Sequence, residues 1–273
     1  MEKINCPICD SSQSYNFIKL KDRFKTKNIT FKLVKCTCGL VYLNPRPNEV
    51  DISNFYKNIN YTPHNKVSIF YKLAQSFSYN WKYKLVKSNC STGSQLLDYG
   101  SGKGEFSDYL QNKGLNVDNY EPILETNDER IINKSYDIIT LWHSLEHIHD
   151  LSKALNKIKL VLKADGLIII AVPNLDAAEE PFFKNEWAAY DAPRHLYHFN
   201  EDSINNLLSK HGLKIIKSQN ILQDTFYNIY LSIKTNNIFL KAVKLFFISI
   251  LCYLKILFNS KHSSSKLYLC SKK

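Results

Sequence analysis

The sequence predicts an α/β protein whose main part is a doubly wound sheet. A glycine-rich turn at 100–104 joins a short apolar strand at 95–99 to an amphipathic helix at 105–112. The next apolar strand, at 115–120, ends in Glu121, an acidic residue 17 positions after the turn. Strand-like and helical runs then alternate along the chain, which is typical of parallel βαβ units.

The glycine turn is a candidate ligand-binding loop. Three of the eight glycines of the chain, Gly100, Gly102 and Gly104, lie within these five residues. Glycine lets the backbone approach a ligand closely, and the amides at the start of the following helix point at that ligand. Asp98, at the end of the strand, suits a hydroxyl or an ammonium group, and Glu121 suits the two hydroxyls of a ribose. A tight turn without a ligand explains the glycines equally well.

The remaining elements complete the sheet. Further strands are predicted at 136–143, 167–172, 213–218 and 266–271, and helices at 151–162 and 204–210. Residues 163–166 are predicted to form a turn, and Asn200 is predicted to cap the helix at 204–210. Only 14 residues separate Glu121 from Tyr136, which is short for a helix and a strand together.

Three segments of the chain resemble the class I S-adenosylmethionine-dependent methyltransferases. They are LLDYGSGKGEF at 96–106, YDIITLWHSLEHIHDL at 136–151 and LKADGLIIIAVPN at 162–174. Within that superfamily, the chain looks like the group with a PRHLYHF run in the loop after the fifth strand and a cysteine-bearing N-terminal segment. The resemblance covers about residues 94–220. It implies a Rossmann-like, mostly parallel sheet with an antiparallel last strand, here 266–271.

The resemblance also implies S-adenosylmethionine as the cofactor. The residues that it places along this cofactor are Asp98, Gly100, Ser101, Gly102, Gly104, Glu121, Trp142 and His143. The superfamily usually fits a third strand, a helix and an adenine-contacting residue into a longer interval than the one before Tyr136. Asn127, Asp128 and Asn133 are candidates for the adenine contact, and the sequence does not choose among them.

Residues 175–198 form a long segment of the kind that acts as a lid or binding loop. Histidine titrates near neutral pH and suits a base that takes the acceptor's proton during methyl transfer. His195 is the first candidate for this role and His198 the second, and by resemblance Glu146 and His147 face the substrate side. Alternatively, these histidines hold the loop by hydrogen bonds; a zinc site made by His195 and His198 is disfavoured, because no carboxylate or cysteine stands at ligand spacing. Arg194 is a candidate for holding an anionic substrate.

Four cysteines near the N-terminus predict a zinc-ribbon-like cap over residues 1–47. Cys6 and Cys9 have the usual two-residue spacing, whereas a single residue separates Cys36 from Cys38. Four thiolates suit a tetrahedral structural zinc, which would hold together a segment too small for its own core. The short spacing of the second pair departs from zinc ribbons, so reduced cysteines without metal stay an alternative. Seven cysteines, an odd number, favour a reducing cytoplasm over a disulfide framework.

Two basic regions, 1–90 and 221–273, flank an acidic central part of the chain, and the predicted methyltransferase domain spans 94–273. Residues 48–93 are rich in aromatic and basic side chains and are predicted to form helices over the cofactor cleft. Residues 1–90 carry 15 basic and 5 acidic side chains, residues 91–220 carry 13 and 19, and residues 221–273 carry 8 and 1. The net charge of +11 therefore lies on the flanks, where anionic partners are expected.

An amphipathic insertion is predicted at 236–260. Within it, residues 238–258 are strongly apolar, and Lys241, Lys244 and Lys255 fall on one narrow stripe of a helix. The uninterrupted apolar run is too short to span a bilayer. A basic stripe beside a wide apolar face suits a helix that lies in a membrane interface, while a homodimer interface and burial within the protein stay open. We expect a cytoplasmic protein with a peripheral contact at the inner face of the membrane.

The function expected from the resemblance is methyl transfer from S-adenosylmethionine to a small-molecule or lipid-linked acceptor. A sugar of a cell-surface glycan is the favoured acceptor. An RNA methyltransferase is the first alternative, because the N-terminal flank is basic, but the lack of an arginine-rich surface disfavours nucleic acid as a partner. A non-catalytic binding protein on the same fold is the second alternative, because the interval after Glu121 is short.

Overall fold

The computed structural model describes residues 1–24, 28–56, 69–123 and 128–273, without the side chains of 69–74. The strands are β1 (Ser14–Lys21), β2 (Thr30–Cys36), β3 (Val41–Leu43), β4 (Gln95–Tyr99), β5 (Asn116–Tyr120), β6 (Tyr136–Trp142), β7 (Leu162–Pro173), β8 (Tyr197–His198), β9 (Leu213–Ile221) and β10 (Ser265–Lys272). The helices are α1 (Glu49–Tyr56), α2 (Ile69–Ser88), α3 (Glu105–Asn112), α4 (Glu129–Ile132), α5 (Leu151–Val161), α6 (Glu180–Phe183), α7 (Glu201–Lys210), α8 (Leu222–Ser232) and α9 (Ile238–Phe258). Part of the predicted helical segment 48–93 therefore lies outside the described residues.

The larger sheet has the strand order β5-β4-β6-β7-β10-β9. Strand β4 is parallel to β5 and β6, and β6 is parallel to β7, whereas β10 is antiparallel to both of its neighbours. Side chains alternate across β7, so that Ile168 and Ile170 enter one apolar cluster and Ile169 enters another on the opposite face. The predicted α/β, Rossmann-like fold with an antiparallel last strand is confirmed.

Strand β5 forms one edge of this sheet. Between β5 and β6 the described residues form only the short helix α4, so no third strand occurs in that part of the chain as described. The short interval before Tyr136 explains this reduced edge. Of the candidate adenine contacts, Asp128 forms an ion pair with Lys157, and Asn133 ends α4. Asn127 lies outside the described residues.

The predicted turn at 163–166 is instead a bulge within β7, which begins at Leu162. The register of β7 against β6 shifts after Tyr136, which leaves extra residues of β7 without partners in that ladder. The Lys163 ammonium contacts the Asp137 carboxylate at 2.8 Å and ties the bulge to the neighbouring strand. Polar residues and a glycine occur in bulges as well as in turns, so local composition alone was misleading here.

The N-terminal segment forms a small antiparallel sheet with the order β1-β2-β3-β8. Strand β8 comes from the PRHLYHF run: Tyr197 pairs with Tyr42, and His198 pairs with Val41. A single apolar cluster continues from this cap, through Tyr42 and Tyr197, to the residues of β6. The cap therefore fixes the long loop against the main sheet. The division of the chain into three segments stays a prediction.

Helix α2 lies over one face of the main sheet. Its Tyr79, Trp81 and Tyr83 pack against an apolar cluster that includes Phe106 and Trp142. Aromatic rings in this helix are 5.4 to 5.9 Å from those of the cluster. Core packing thus accounts for these aromatic side chains, and it places α2 at the edge of the sheet where the glycine loop lies.

Helices α8 and α9 pack against each other through Ile229, Cys252 and Ile256. The Tyr253 hydroxyl donates to the backbone carbonyl of Leu222 at 3.0 Å, which ties α9 to the start of α8. Most of the remaining apolar side chains of α9 are exposed. Within the described ranges, no helix is long and apolar enough to cross a membrane.

Candidate active site

The glycine loop after β4 has a backbone that requires glycine. Gly100, Gly102 and Gly104 have φ values of 78°, 57° and 79°, in the left-handed region. A Cβ atom at Gly100 would lie 2.3 Å from the Cβ atom of Ser144, which follows β6. The Gly100 amide donates to the carbonyl of Tyr120 at 2.7 Å, so the loop is held between the ends of β5 and β6.

The loop presents polar atoms to an open side. No described atom lies within 4 Å of the position of a Cβ atom at Gly102, so this backbone borders open space. The Gly102 amide donates to Glu121 Oε2 at 2.8 Å, and the Ile123 amide donates to Glu121 Oε1 at 3.1 Å. The Oγ atom of Ser101 is buried and has no hydrogen-bond partner among the described residues. The predicted ribose-binding carboxylate therefore lies directly beside the loop.

Asp98 ties the glycine loop to neighbouring elements through hydrogen bonds. Its Oδ1 accepts from Thr140 Oγ1 at 2.8 Å, and its Oδ2 accepts from Ser107 Oγ at 2.9 Å. Burial raises the pKa of this carboxyl, and the two hydroxyl donors oppose that effect. Asp98 thus links β4, β6 and α3, and its direct contact with a cofactor stays a prediction.

Trp142, at the end of β6, forms part of an aromatic pocket that contains a lysine. Its ring centre is 5.9 Å from those of Trp81 and Phe106. Lys82 Nζ lies 4.8 Å from the Trp142 ring centre, in cation–π range. Burial lowers the pKa of Lys82, while Asp98 and Asp224 act to raise it. Lys82 was not among the site residues predicted from the sequence, where it stands out only as a lysine within an aromatic helix.

His143 forms an ion-pair bridge between two carboxylates. Its backbone has a φ of 50°, which is uncommon for a residue other than glycine. Its Nε2 is 3.1 Å from Asp224 Oδ2, and its Nδ1 is 3.5 Å from Glu146 Oε1. Burial alone would lower the pKa of His143, but the two carboxylates raise it to about 9. Asp224 lies on α8, far along the chain, and no sequence signal pointed to it.

His147 and His195 face each other across the turn after β6. Their ring centres are 4.7 Å apart. His147 Nδ1 lies 3.0 Å from the carbonyl oxygen of Arg194, and His195 Nδ1 lies 2.7 Å from that of Ala189. A carbonyl oxygen only accepts, so each Nδ1 carries the proton and each Nε2 carries a lone pair. Burial, followed by the neighbouring His195, lowers the pKa of His147 to about 4, so His147 is neutral at neutral pH.

Glu146 is the third member of this cluster. Its side chain has no exposed surface, and neither carboxylate oxygen has a hydrogen-bond partner in the described part of the chain. Burial acts to raise its pKa, but the adjacent imidazoles, His143 first, lower it to about 2. One ligand atom each of Glu146, His147 and His195 lie within 4.8 Å of one another. By resemblance, Glu146 and His147 were predicted on the substrate side, but His195 was paired with His198, and its meeting with Glu146 was not predicted.

Two residues of the long loop are buried in the protein. The Arg194 guanidinium has no exposed surface and lies 2.8 Å from oxygens of both Asp191 and Asp22. Its predicted role in holding an anionic substrate is therefore wrong, because two carboxylates already occupy it. His198 is 3% exposed and packs against Tyr190, and burial lowers the pKa of His198 to about 3. Its role as a base stays a prediction, with His195 nearer the surface.

The four N-terminal cysteines converge as predicted for a metal site. Cys6 Sγ is 3.5 Å from Cys38 Sγ, and Cys9 Sγ is 3.4 Å from Cys36 Sγ. All four sulfur atoms lie within 4.8 Å of one another. Burial raises the pKa of the Cys6 and Cys38 thiols, although backbone amides near both sulfurs oppose that effect. For Cys36, hydrogen bonds from the Cys38 amide and the neighbouring cysteines outweigh burial and lower the pKa to about 7. The single-residue spacing therefore still lets Cys38 join the cluster, and the four residues fit a tetrahedral zinc.

A cavity of about 560 Å³ lies elsewhere, between the N-terminal residues and the start of α5. Its polar groups hold one another: Arg46 Nε donates to Glu2 at 2.7 Å, and Arg46 Nη1 donates to the Tyr197 hydroxyl at 2.7 Å. His149 Nε2 is 3.0 Å from the carbonyl of Pro47. Because these groups are paired with each other, the glycine loop and the histidine cluster remain the stronger candidate site.

A family model described as a methyltransferase domain matches residues 69–218, just over half of the chain. The chain belongs to this methyltransferase family. The match includes the glycine loop, Glu121 and the histidine cluster, so the predicted superfamily is confirmed. No curated protein matches the chain.

Several solved methyltransferase structures are similar to this chain. The mitomycin 7-O-methyltransferase has 14% identity and a TM-score of 0.43, over 72% of this chain and 55% of its own. The chain thus spans about half the length of that enzyme. An S-adenosylmethionine-dependent methyltransferase from Archaeoglobus fulgidus has 15% identity and a TM-score of 0.42, over 76% of this chain and 100% of its own. A TehB-like methyltransferase from Corynebacterium glutamicum has 14% identity and a TM-score of 0.40, over 74% of this chain and 99% of its own.

Proposed function

We propose that this protein transfers a methyl group from S-adenosylmethionine to an acceptor bound at the histidine cluster. The open side of the glycine loop carries this proposal. Gly102 borders open space, and Ser101 offers a buried hydroxyl that no described residue uses. Glu121 lies beside both and suits a ribose. These residues fit the cofactor, which supplies an electrophilic methyl group on a sulfonium centre.

The charges around the cleft support a cofactor with a cationic sulfonium and an anionic carboxylate. The His143 imidazolium lies between Glu146 and Asp224, so the three groups together carry one negative charge, which favours a nearby cation. Lys82 lies over Trp142 and is the candidate partner of the cofactor's carboxylate. An anion beside Lys82 would offset the cost of its burial.

The acceptor side of the site contains a candidate general base, His195. His195 is half-buried and offers the Nε2 lone pair, because its Nδ1 proton is held by the carbonyl of Ala189. This tautomer keeps the ring fixed and ready to accept a proton from a hydroxyl of the acceptor. His195 remains the proposed base, ahead of the buried His198 and of His147, whose lowered pKa makes it a weaker base.

A lipid-linked acceptor is proposed from the position of the α8–α9 hairpin. Asp224, in the first turn of α8, contacts His143 in the site, and Tyr253 of α9 is bonded to the start of α8. The exposed face of α9 is apolar and includes Phe246 and Phe247, which are 61% and 59% exposed. A helix of this kind, with flanking lysines, suits an interface of anionic lipids close to the site. A sugar carried on such a lipid is the proposed acceptor.

We also propose a structural zinc in the cap, held by the Cys6, Cys9, Cys36 and Cys38 thiolates. The four sulfurs lie within 4.8 Å of one another, and a zinc bound there would add its binding free energy to the folding of this small segment.

Calorimetric titration with S-adenosylhomocysteine tests the cofactor site. We expect micromolar binding by the wild type and at least about tenfold weaker binding by Glu121→Gln, since one charged hydrogen bond is worth about 1.5–3 kcal/mol. Asp108→Asn, which changes an exposed carboxylate on α3, is the matched control and should bind like the wild type. No binding by folded wild-type protein at millimolar ligand would refute the enzyme and favour a binding protein on this fold.

A further inference from the structure

We propose that Glu146, His147 and His195 form a binding site for a divalent transition-metal ion. One ligand atom from each of these residues lies within 4.8 Å of the other two. An ion midway between three atoms at that separation is at most about 2.8 Å from each. Displacements of the three ligand atoms by less than 1 Å or so therefore bring all of them to bonds of about 2.1 Å, the usual length for imidazole and carboxylate ligands.

Backbone carbonyls already orient both imidazoles as metal ligands. The Nδ1 proton of His147 is held by the carbonyl of Arg194, and that of His195 by the carbonyl of Ala189. Metal-binding histidines usually donate their other ring proton in this way, because the bond fixes the tautomer and turns the lone pair to the ion. In the neutral form of both rings, Nε2 is thus the nitrogen that carries the lone pair.

The environment of Glu146 gives independent support. A buried carboxylate normally collects hydrogen bonds, because an unpaired buried charge costs several kcal/mol or more. Glu146 has no exposed surface, and among the described residues neither of its oxygens has a hydrogen-bond partner. Its ion pair with His143, which Asp224 shares, spans 3.5 Å from Nδ1 to Oε1 and is too long for a good hydrogen bond. A metal ion would satisfy this carboxylate.

The ligand set indicates the class of ion. Two imidazoles and one carboxylate bind zinc, iron(II), cobalt or manganese, and three protein ligands leave further positions open. His147 and His195 are half-buried, so an acceptor oxygen has access to such a position. An ion there lowers the pKa of a bound hydroxyl and takes over the proton-removing task that His195 has in the ion-free site. This catalytic role rests on the proposed methyl transfer, but the binding of the ion does not.

The zinc content of purified variants after equilibrium dialysis tests the site. We expect Glu146→Gln and His195→Asn to hold one ion fewer per chain than the wild type. The cap supplies the internal comparison: Cys9→Ser should lose the cap zinc and keep the second ion. The matched control is His262→Asn, because this partly exposed histidine lies outside both clusters and its Nδ1 is 2.7 Å from the carbonyl oxygen of Asp176. It should keep the wild-type zinc content.

Equal zinc content in the wild type, Glu146→Gln and His195→Asn, with all three folded by circular dichroism, would overturn the proposal. Because two variants remove different ligands, one that fails to fold leaves the other as the test. Titration with S-adenosylhomocysteine separates this result from the proposed function: cofactor binding without the second ion refutes only the metal site. A second ion without cofactor binding keeps the metal site and refutes methyl transfer.

Discussion

Gly100 is the residue at which conformation and packing both demand glycine. Its φ is 78°, and an added Cβ atom would lie 2.3 Å from that of Ser144. Gly93 has a similar φ of 80°, but no described atom lies within 4 Å of its added Cβ position. A side chain at either position would therefore strain the backbone, and of these two positions only Gly100 would also place it against Ser144.

We expect Gly93→Ala to lower the free energy of unfolding by about 1–2 kcal/mol, the cost of the left-handed conformation. Gly100→Ala should lower it by a further 1–3 kcal/mol or so, because the new methyl group collides with Ser144. Urea unfolding of both variants measures the difference. Equal losses would show that the turn after β6 moves freely, which would contradict the close contact between the two loops.

Glu179 is buried and contributes a pH-dependent stability. Burial raises the pKa of Glu179 to about 7, although Trp187 and Ser264 hydrogen bonds oppose that effect. Its usual value is about 4.5, so the folded state holds the proton more tightly than the unfolded state. The contribution of Glu179 to stability is therefore fully present below about pH 4.5 and is lost as the pH rises to about 7.

Glu179→Gln should remove this loss. From pH 5 to pH 8, we expect the free energy of unfolding of the wild type to fall by on the order of 1–3 kcal/mol relative to that of the variant. Urea unfolding at the two pH values measures it. Glu49→Gln, at an exposed carboxylate of α1, is the control and should follow the wild type. Parallel pH curves for Glu179→Gln and the wild type would disprove the raised pKa.

At the scale of elements, the strand β8 links the cap to the candidate site. It pairs with β3 through Tyr197 and His198, and it follows His195 directly in the chain. The zinc proposed for the cysteines would stabilise β3 and its neighbours, and through them the loop that carries His195. The cap is thus expected to influence the acceptor site without contacting the acceptor.

Loss of the cap zinc should therefore loosen the PRHLYHF run. In Cys9→Ser we expect faster amide hydrogen exchange at 193–199, because β8 loses a rigid partner. Cys90→Ser, which changes a cysteine outside the cluster, should exchange like the wild type. Faster exchange restricted to residues 1–43 would show that β8 is held by the main sheet alone and would refute the coupling.

For the molecule as a whole, the exposed apolar face of α9 is the surface to which a membrane contact is assigned. Phe246 is 61% exposed there, and Phe77, on α2, is 66% exposed. The two phenylalanines are matched in exposure but lie on different surfaces. A membrane contact through α9 predicts different behaviour for each of them.

We expect the wild type to co-sediment with phosphatidylglycerol vesicles, less with phosphatidylcholine vesicles, and less at high salt. Phe246→Asp should weaken vesicle binding by about tenfold or more, because each buried phenylalanine contributes about 1.5–3 kcal/mol. Phe77→Asp should bind like the wild type. Absence of vesicle binding together with a concentration-dependent dimer that Phe246→Asp disrupts would assign this face to a homodimer instead.

The sequence by itself determined the sheet, the glycine loop and the family. These features depend on local patterns: apolar runs of strand length, glycines where the backbone needs a positive φ, and an acidic residue at a strand end. The antiparallel last strand and the capping of α7 by Asn200, which accepts from the Ser203 amide at 3.0 Å, follow from the same kind of signal. The turn predicted at 163–166 failed because a bulge has the same composition.

The tertiary structure alone decided which polar side chains meet. Asp224 on α8, Lys82 on α2 and His195 in the long loop meet Trp142 and the residues that follow it, and no spacing along the chain encodes these contacts. The sequence predicted that Arg194 holds an anionic substrate, yet its guanidinium lies buried and paired with Asp22 and Asp191. A buried guanidinium is stable only when carboxylates compensate its charge. Local physics thus gives the elements, and long-range packing gives the site its chemistry.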